Sequence, residues 1–292
     1  MDYLYHITVL ICLYGVLALG QNLLLGIGNM LFVAQAAAFA IGAYVLALSA
    51  LKAIPGYLGL LLGSAVAVTL LVPLASVAIR LKGDYLLVAS LALCEVVRST
   101  LNNTPTLTGG AQGLMAIPPL KIFRFQLSLP LHYAFASILL LITVSWIYHL
   151  VRFSPYGRLL QATGEDQDAA RALGRSVRQV RVAAVTAAVI SAALAGGLYA
   201  PYLVYIDPTQ FTIWESVLVL AMVILGGLGS IRGSIAGVSV FILIPEISRF
   251  AGLPAGIAAP LRQIAFGFLL LLILRVRPSG IFGKSDRPWL TY

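Results

Sequence analysis

The chain has 292 residues, 60% of them hydrophobic and 10% charged, and a formal net charge of +9. Water-soluble domains run nearer half apolar and a quarter charged, and they cannot hide repeated apolar blocks of about 20 residues; this composition excludes one and calls for a bilayer as solvent. The positive balance does not point to nucleic acid, because Lys and Arg fall in short connections between apolar blocks, where charge sets membrane orientation.

Taken in chain order, the apolar runs cover residues 3–24, 30–51, 57–79, 85–101, 131–151, 182–204, 213–228, 235–250 and 256–274. They predict an all-α fold, a polytopic transmembrane helix bundle of about 8–10 spans, with the later runs short enough to be re-entrant, tilted or broken. The first run has no basic flank and leads into further spans, so it reads as mature protein rather than a signal peptide. No linker divides residues 1–292, which read as a single membrane-spanning domain with two loops of consequence, 102–130 and 152–181.

Orientation follows from the cations. Residues 152–181 carry Arg152, Arg158, Arg171, Arg175, Arg178 and Arg181, and the tail carries Arg275, Arg277, Lys284 and Arg287; Arg80, Lys82 and Arg232 mark further ends. All are expected on the cytoplasmic side, which puts the C-terminus inside and the N-terminus, 102–130 and 205–212 outside. Lys121 and Arg124 on the outer loop run against the trend.

Chemistry has few places to reside. Cys12 and Cys94 lie inside apolar runs, and His6, His132 and His149 are scattered at span ends, so no metal, disulfide framework or catalytic constellation is expected. Neither the Gly226-Gly227-Leu228-Gly229 run nor Gly283-Lys284-Ser285 has the strand–loop–helix setting of a phosphate loop. The amides Asn22, Asn29 and Gln35 of the first two spans are either interhelical hydrogen-bonding groups or pathway lining. Glu95 and Arg98, spaced i, i+3, share a helix face inside an apolar run; they are either a structural ion pair or part of a pathway or gate.

The most informative stretch runs Ser154-Pro155-Tyr156-Gly157-Arg158-Leu159-Leu160-Gln161-Ala162-Thr163-Gly164-Glu165-Asp166-Gln167-Asp168-Ala169-Ala170-Arg171-Ala172-Leu173-Gly174. Glu165, Asp166 and Asp168 favour a helix start, Ala169, Ala170, Ala172 and Leu173 its body, and Gly174 its C-terminal cap, so a short surface helix over 165–173 is expected. Such a helix either docks in a groove of a partner or is a solvated connector.

This stretch resembles the coupling loop of the permeases of branched-chain amino acid ABC importers, S-x-x-G-R-x-x-x-A-x-x-E-[DN]-x-x-A-A-x-x-x-G. The matches fall at Ser154, Gly157, Arg158, Ala162, Glu165, Asp166, Ala169, Ala170 and Gly174. Three further stretches resemble the same family in the same order. The first is Arg80-Leu81-Lys82-Gly83-Asp84-Tyr85, followed by Glu95-Val96-Val97-Arg98, Asn102-Asn103 and Leu107-Thr108-Gly109-Gly110. The second is Leu225-Gly226-Gly227-Leu228-Gly229-Ser230, with Gly233, Gly237 and Pro245-Glu246 behind it, and the third is Arg277-Pro278-Ser279-Gly280-Ile281. Within the family the chain is most similar to the second permease type, which pairs with a different permease. One stretch departs from the pattern: where the family reads G-Y-x-G-Q-x-S-L-G-x-A-A-F, Asn29, Met30, Phe32 and Ala34 replace Gly, Gln, Ser and Gly, which leaves the cargo open.

The resemblance implies a bacterial or archaeal importer subunit in the cell membrane, the inner membrane of a Gram-negative cell, forming half of a pathway for branched-chain amino acids or a related small polar solute. It implies a second permease subunit, two cytoplasmic ATPase subunits and an extracytoplasmic solute-binding protein as partners. ATP and Mg would sit on the ATPases, and this chain would bind no cofactor and catalyse nothing itself. The coupling residues would be Gly157, Arg158, Ala162, Glu165, Asp166, Ala169, Ala170, Leu173 and Gly174. A secondary transporter is the alternative; it would need coupling-ion ligands at broken helices, and membrane carboxylates are few, Glu95 being the clearest.

Overall fold

A computed structural model describes residues 2–81, 83–122, 125–250, 267, 275 and 280–283. Apart from Gly267, the predicted run 256–274 lies outside the described residues, as do Lys82, Arg124, Arg277, Lys284 and Arg287. Eight apolar helices fall on the other eight predicted runs. They are α1 (Asp2–Gln21), α2 (Gln35–Leu51), α3 (Gly56–Ala78), α4 (Asp84–Asn102), α6 (Pro130–Phe153), α9 (Val177–Leu203), α10 (Ile213–Gly226) and α11 (Ile231–Phe250). Between them lie the single turn α5 (Pro105–Thr108), the loop helices α7 (Pro155–Glu165) and α8 (Gln167–Ala172), and a two-residue hairpin, β1 (Lys121–Ile122) with β2 (Phe125–Gln126). The fold is all-α in substance, as the apolar periodicity requires.

Fewer helices reach membrane length than there are apolar runs. Among the described residues four are long and apolar enough to cross, Tyr3–Ile27, Gly56–Ala78, Pro130–Phe153 and Val177–Leu203, or up to five if α10 and α11 count as one span bent by 119°. The reason lies in breaks that composition hides. α1 runs on through a π-helical turn, Asn22–Ile27, and the chain is then non-helical over 28–34, so α2 has only 17 residues where the run predicts more. α4 is 19 residues long but carries Asp84, Glu95 and Arg98.

α2 forms the centre of the bundle, packed against α9, α3 and α4. Its small residues let backbones meet, the usual membrane packing device where lipid supplies no hydrophobic drive between helices. A Cβ on Gly42 would stand 2.0 Å from the carbonyl of Ala193, and one on Gly196 would stand 2.0 Å from that of Phe39. α3 and α6 lie outside, showing Leu61, Leu70, Val77, Phe135, Ile142 and Trp146 to the surroundings.

The two ends of the bundle are closed differently. At the end opposite α7 and α8, the backbone of Leu114 pairs with Ile206 through hydrogen bonds of 2.9 and 3.1 Å, and Ile117 N–H donates to Val204 at 3.1 Å. The two loops there form one cover. At the α7–α8 end, α10 stops at Gly226, and the tail returns to it: Ile281 N–H donates to Leu225 O at 3.0 Å and Phe282 N–H to Gly226 O at 2.9 Å. Those carbonyls belong to the last turn of α10, which has no partners of its own. The turn needs glycine, since Gly227 has φ 113° and a Cβ there would lie 2.4 Å from Gly283 N.

Candidate functional site

The loop between α6 and α9 is built by local capping. Ser154 is extended after Phe153 and its Oγ accepts from Gly157 N–H at 3.1 Å; Pro155 fills the first helical position. Gly157 is tucked under the end of α6, where a Cβ would lie 2.2 Å from Val151 O. α7 turns Gly157, Leu160 and Thr163 to the body and leaves Arg158, Gln161, Ala162 and Glu165 exposed.

The structure corrects the single helix expected over 165–173. Glu165 ends α7 instead of starting a helix, and its carboxylate accepts from Gln161 Nε2 at 3.1 Å. Asp166 is the hinge: its N–H donates back to Ala162 O at 3.0 Å, and its Oδ1 accepts from Asp168 N–H at 2.8 Å and Ala169 N–H at 3.0 Å, starting α8. Those two bonds, that from Ala169 first, hold the carboxyl below the usual aspartate range. Within α8 the paired alanines part company. Ala169 is exposed, whereas Ala170 is buried in the chain's own body and is not free to meet a partner, because a six-residue helix lying on the bundle has one inward face. Leu173 stands 80% exposed, a large apolar side chain projecting from a polar segment. Gly174, at φ 73°, closes the helix in open space.

Three side chains tie this loop to the bundle. Tyr156 Oη donates to Val180 O in the first turn of α9 at 2.7 Å. Arg181, buried on α9, donates through Nη2 to Thr163 O at 3.3 Å, and the Gln167 carboxamide, with its oxygen toward the guanidinium, accepts from Nη1 and Nη2 at 2.9 Å each. Asn29 Nδ2 donates to Gly164 O at 3.1 Å. Asn29 has φ 46°, a left-handed conformation that asparagine tolerates better than most residues.

The polar groups inside the bundle have separate tasks. Asn22 is buried; its Nδ2 donates to Ser230 O at 3.0 Å and Ser234 Oγ at 2.7 Å, and its Oδ1 accepts from Gly229 N–H at 2.7 Å. The non-helical stretch before α2 and the first turn of α2 are served by side chains from two other helices. Ser90 Oγ accepts from Val33 N–H at 2.8 Å, and Ser216 Oγ from Ala36 N–H at 3.0 Å. Irregular backbone at membrane depth persists only when it is satisfied in this way. Gln35 is buried with its carbonyl oxygen unpaired. Glu95 and Arg98 do pair, through two bonds from Nε and one from Nη2, on a half-exposed flank of α4. Thus Asn22 and Asn29 hold structural hydrogen bonds, while Gln35 and the Glu95–Arg98 pair keep unspent polar surface.

The sequence compares directly with known families. A model described as the branched-chain amino acid transport system / permease component matches residues 3–274. The chain belongs to this permease family. It is 29% identical over 97% of its length to the high-affinity branched-chain amino acid transport system permease protein LivM of Escherichia coli, covering 71% of that protein. To the corresponding LivH protein of Escherichia coli it is 25% identical over 94% of its length, covering 92%. It is therefore a permease of the LivM type. A further relative, the autoinducer 2 import system permease protein LsrC of Escherichia coli, is 31% identical over 44% of the chain and 40% of that protein. No solved structure matches.

Several residues of this permease that position the loop carry little sequence signal. In the sequence Arg181 stands out only as a topological charge, and Gln167, Thr163 and Gly164 fall between the motif positions. The signal for Arg181 was its place at the head of an apolar run, where an arginine must find acceptors. Glu215 was missed as well: it lies half-buried in the first turn of α10 and accepts from Tyr14 Oη at 3.0 Å.

Proposed function

We propose that the chain is the membrane-spanning subunit of an ABC importer, paired with a different permease and carrying a branched-chain amino acid or a related small polar solute. Two cytoplasmic ATPases would dock on α7 and α8, and an extracytoplasmic binding protein would deliver solute to the cover formed by 102–130 and 204–206. ATP and Mg belong to the ATPases; this chain supplies the pathway and the lever. Under this reading the α7–α8 end and the tail are cytoplasmic, in keeping with the cations gathered there.

The observation that carries the proposal is the two-sided build of α7–α8. One face is pinned to the bundle, and the other offers Arg158, Ala162, Glu165, Ala169 and Leu173 to a partner. A solvated connector needs neither the pins nor an 80% exposed leucine at its tip. ATP can drive the pathway only if the ATPases bind its two conformations unequally, so the contact must be stiff on the permease side. The half-exposed Glu95–Arg98 pair and Glu215 are assigned to the pathway between the two permeases, because charged groups at membrane depth face protein or water.

The test is to express the chain with the ATPases, second permease and binding protein of its own system. Ala169→Trp adds bulk on the exposed face and should lower co-purification of the ATPases or uptake per ATP, while membrane insertion is retained. Wild-type values for co-purification, ATP turnover and leucine uptake would remove the coupling assignment.

A further inference from the structure

Helices end with carbonyls that have no partner in their own helix. At the end of α7 three of those carbonyls are taken, each by a different residue. Ala162 O accepts from Asp166 N–H at 3.0 Å, Thr163 O from Arg181 Nη2 at 3.3 Å and Gly164 O from Asn29 Nδ2 at 3.1 Å. α9 and the stretch that leads into α2 are thus both fastened to the same turn. Gly164 is needed there, since a Cβ would lie 2.7 Å from Gly28 O.

Arg181 is the stronger of the two fasteners. It is 4% exposed and forms no ion pair among the described residues. A buried guanidinium without a carboxylate must be held by neutral acceptors, and the negative end of a helix dipole is a fitting one. The fork spans two helices at once: one arm reaches Thr163 at the end of α7, and both arms reach Gln167, the first residue of α8. These are charge-assisted hydrogen bonds, shorter-ranged and more directional than packing alone. Arg181 therefore grips both sides of the Asp166 hinge, from the second turn of the 27-residue helix α9, whose other end meets the opposite cover.

We infer that Arg181 is a positioning residue that locks the hinge between α7 and α8 to α9, so that the loop and this span move as one body. The inference rests on the coupling reading, and it adds which span receives the stroke. α9 packs along α2, α3 and α1, so displacement of its second turn is passed to the centre of the bundle. Without the fork, α8 would swing at Asp166 while α9 stayed in place.

The experiment uses the full chain with Arg181→Met, Gln167→Leu and the double substitution. Methionine fills the buried volume without a charge, and with leucine at 167 only the Thr163 carbonyl loses its partner. In detergent, trypsin should cut after Arg171 and Arg175 about tenfold faster in Arg181→Met than in wild type, because α8 is released while its exposed arginines remain. In the assembled transporter the ATPases should still co-purify at wild-type ratio and hydrolyse ATP. Leucine uptake per ATP should fall about tenfold in Arg181→Met and in the double variant, and Arg181→Lys should recover part of it. Unchanged tryptic cutting with unchanged uptake per ATP would overturn the inference. So would loss of the ATPases from both Arg181→Met and the double variant, which would mark Arg181 as a folding residue only. If the wild-type chain recovers no ATPase while Arg181→Met still speeds cutting, the lock stands and the importer reading falls.

Discussion

Asn22 and Gly229 stand 207 residues apart in sequence and 2.7 Å apart in space, the amide oxygen of one accepting the backbone N–H of the other. With the two bonds to Ser230 and Ser234, this one side chain fixes the reversal between α10 and α11 against the end of α1. Removing it strands the buried N–H of Gly229, while Ser230 O and Ser234 Oγ keep their bonds to each other. Asn22→Ala should cost roughly 1–3 kcal/mol, the penalty for a buried group left unsatisfied. Thermal unfolding in detergent measures the loss, and Asn22→Gln should not rescue it, because a longer side chain moves the amide oxygen away from the position where it meets Gly229 N–H.

Asn29 separates backbone conformation from hydrogen bonding. Asn29→Gly keeps the left-handed backbone and loses one exposed bond, so stability should stay within about 0.5 kcal/mol of wild type. Asn29→Val should be worse by roughly 1–2 kcal/mol, because a β-branched residue resists φ 46°. Equal melting temperatures for the two variants would contradict the assigned conformation.

Asp166 makes the loop sensitive to acid in a defined direction. Its folded pKa lies below the unfolded value of about 3.9, so the cap contributes fully above that pH and is lost as pH falls through the lower, folded value. Hydrogen exchange at Asp168 and Ala169 should therefore stay protected at neutral pH and open only in strong acid. Asp166→Asn should keep protection at all pH values, and Asp166→Ala should lack it throughout, because it removes the cap acceptor.

Glu95 and Arg98 should behave as a unit. Replacing either leaves its partner's charge at membrane depth without compensation, so Glu95→Gln and Arg98→Met should each lower the yield of folded protein. The double variant should fold better than the worse single one. Strictly additive losses would show that the two side chains act independently.

The bundle was legible because apolar run length reports membrane burial directly, and eight of the runs coincide with helices. The breaks were not. Residues 28–34 are as apolar as their neighbours, and the freed N–H groups of Val33 and of Ala36 at the start of α2 are taken by hydroxyls on Ser90 and Ser216, distant in sequence. The loop between α6 and α9 is legible as a pattern, since Asp166, Ala169 and Gly174 carry local capping and helix signals. Its orientation is not: which alanine faces out depends on how α8 lies on the bundle, and Glu165 looks like a helix start because charge preference cannot tell the end of one helix from the beginning of the next. The interior ties followed the same division. Asn22 is a polar residue in an apolar run, which flags a partner, but nothing local names Gly229.

The tail that returns to Gly226 and Gly227 has a bearing on how the protein is made. Synthesis proceeds from the N-terminus, so α10 leaves the ribosome with bare carbonyls at Leu225 and Gly226 and waits for Ile281 and Phe282 to reach them. Until then the reversal between α10 and α11 is held by Asn22 alone among these contacts. A stop codon or a bulky fusion placed just before Gly280 would spare nearly the whole membrane domain and still leave that reversal unfinished. Such a product should insert, then be recognised by quality-control proteases as incomplete. Affinity tags on this permease therefore belong away from the segment around Ile281 and Phe282.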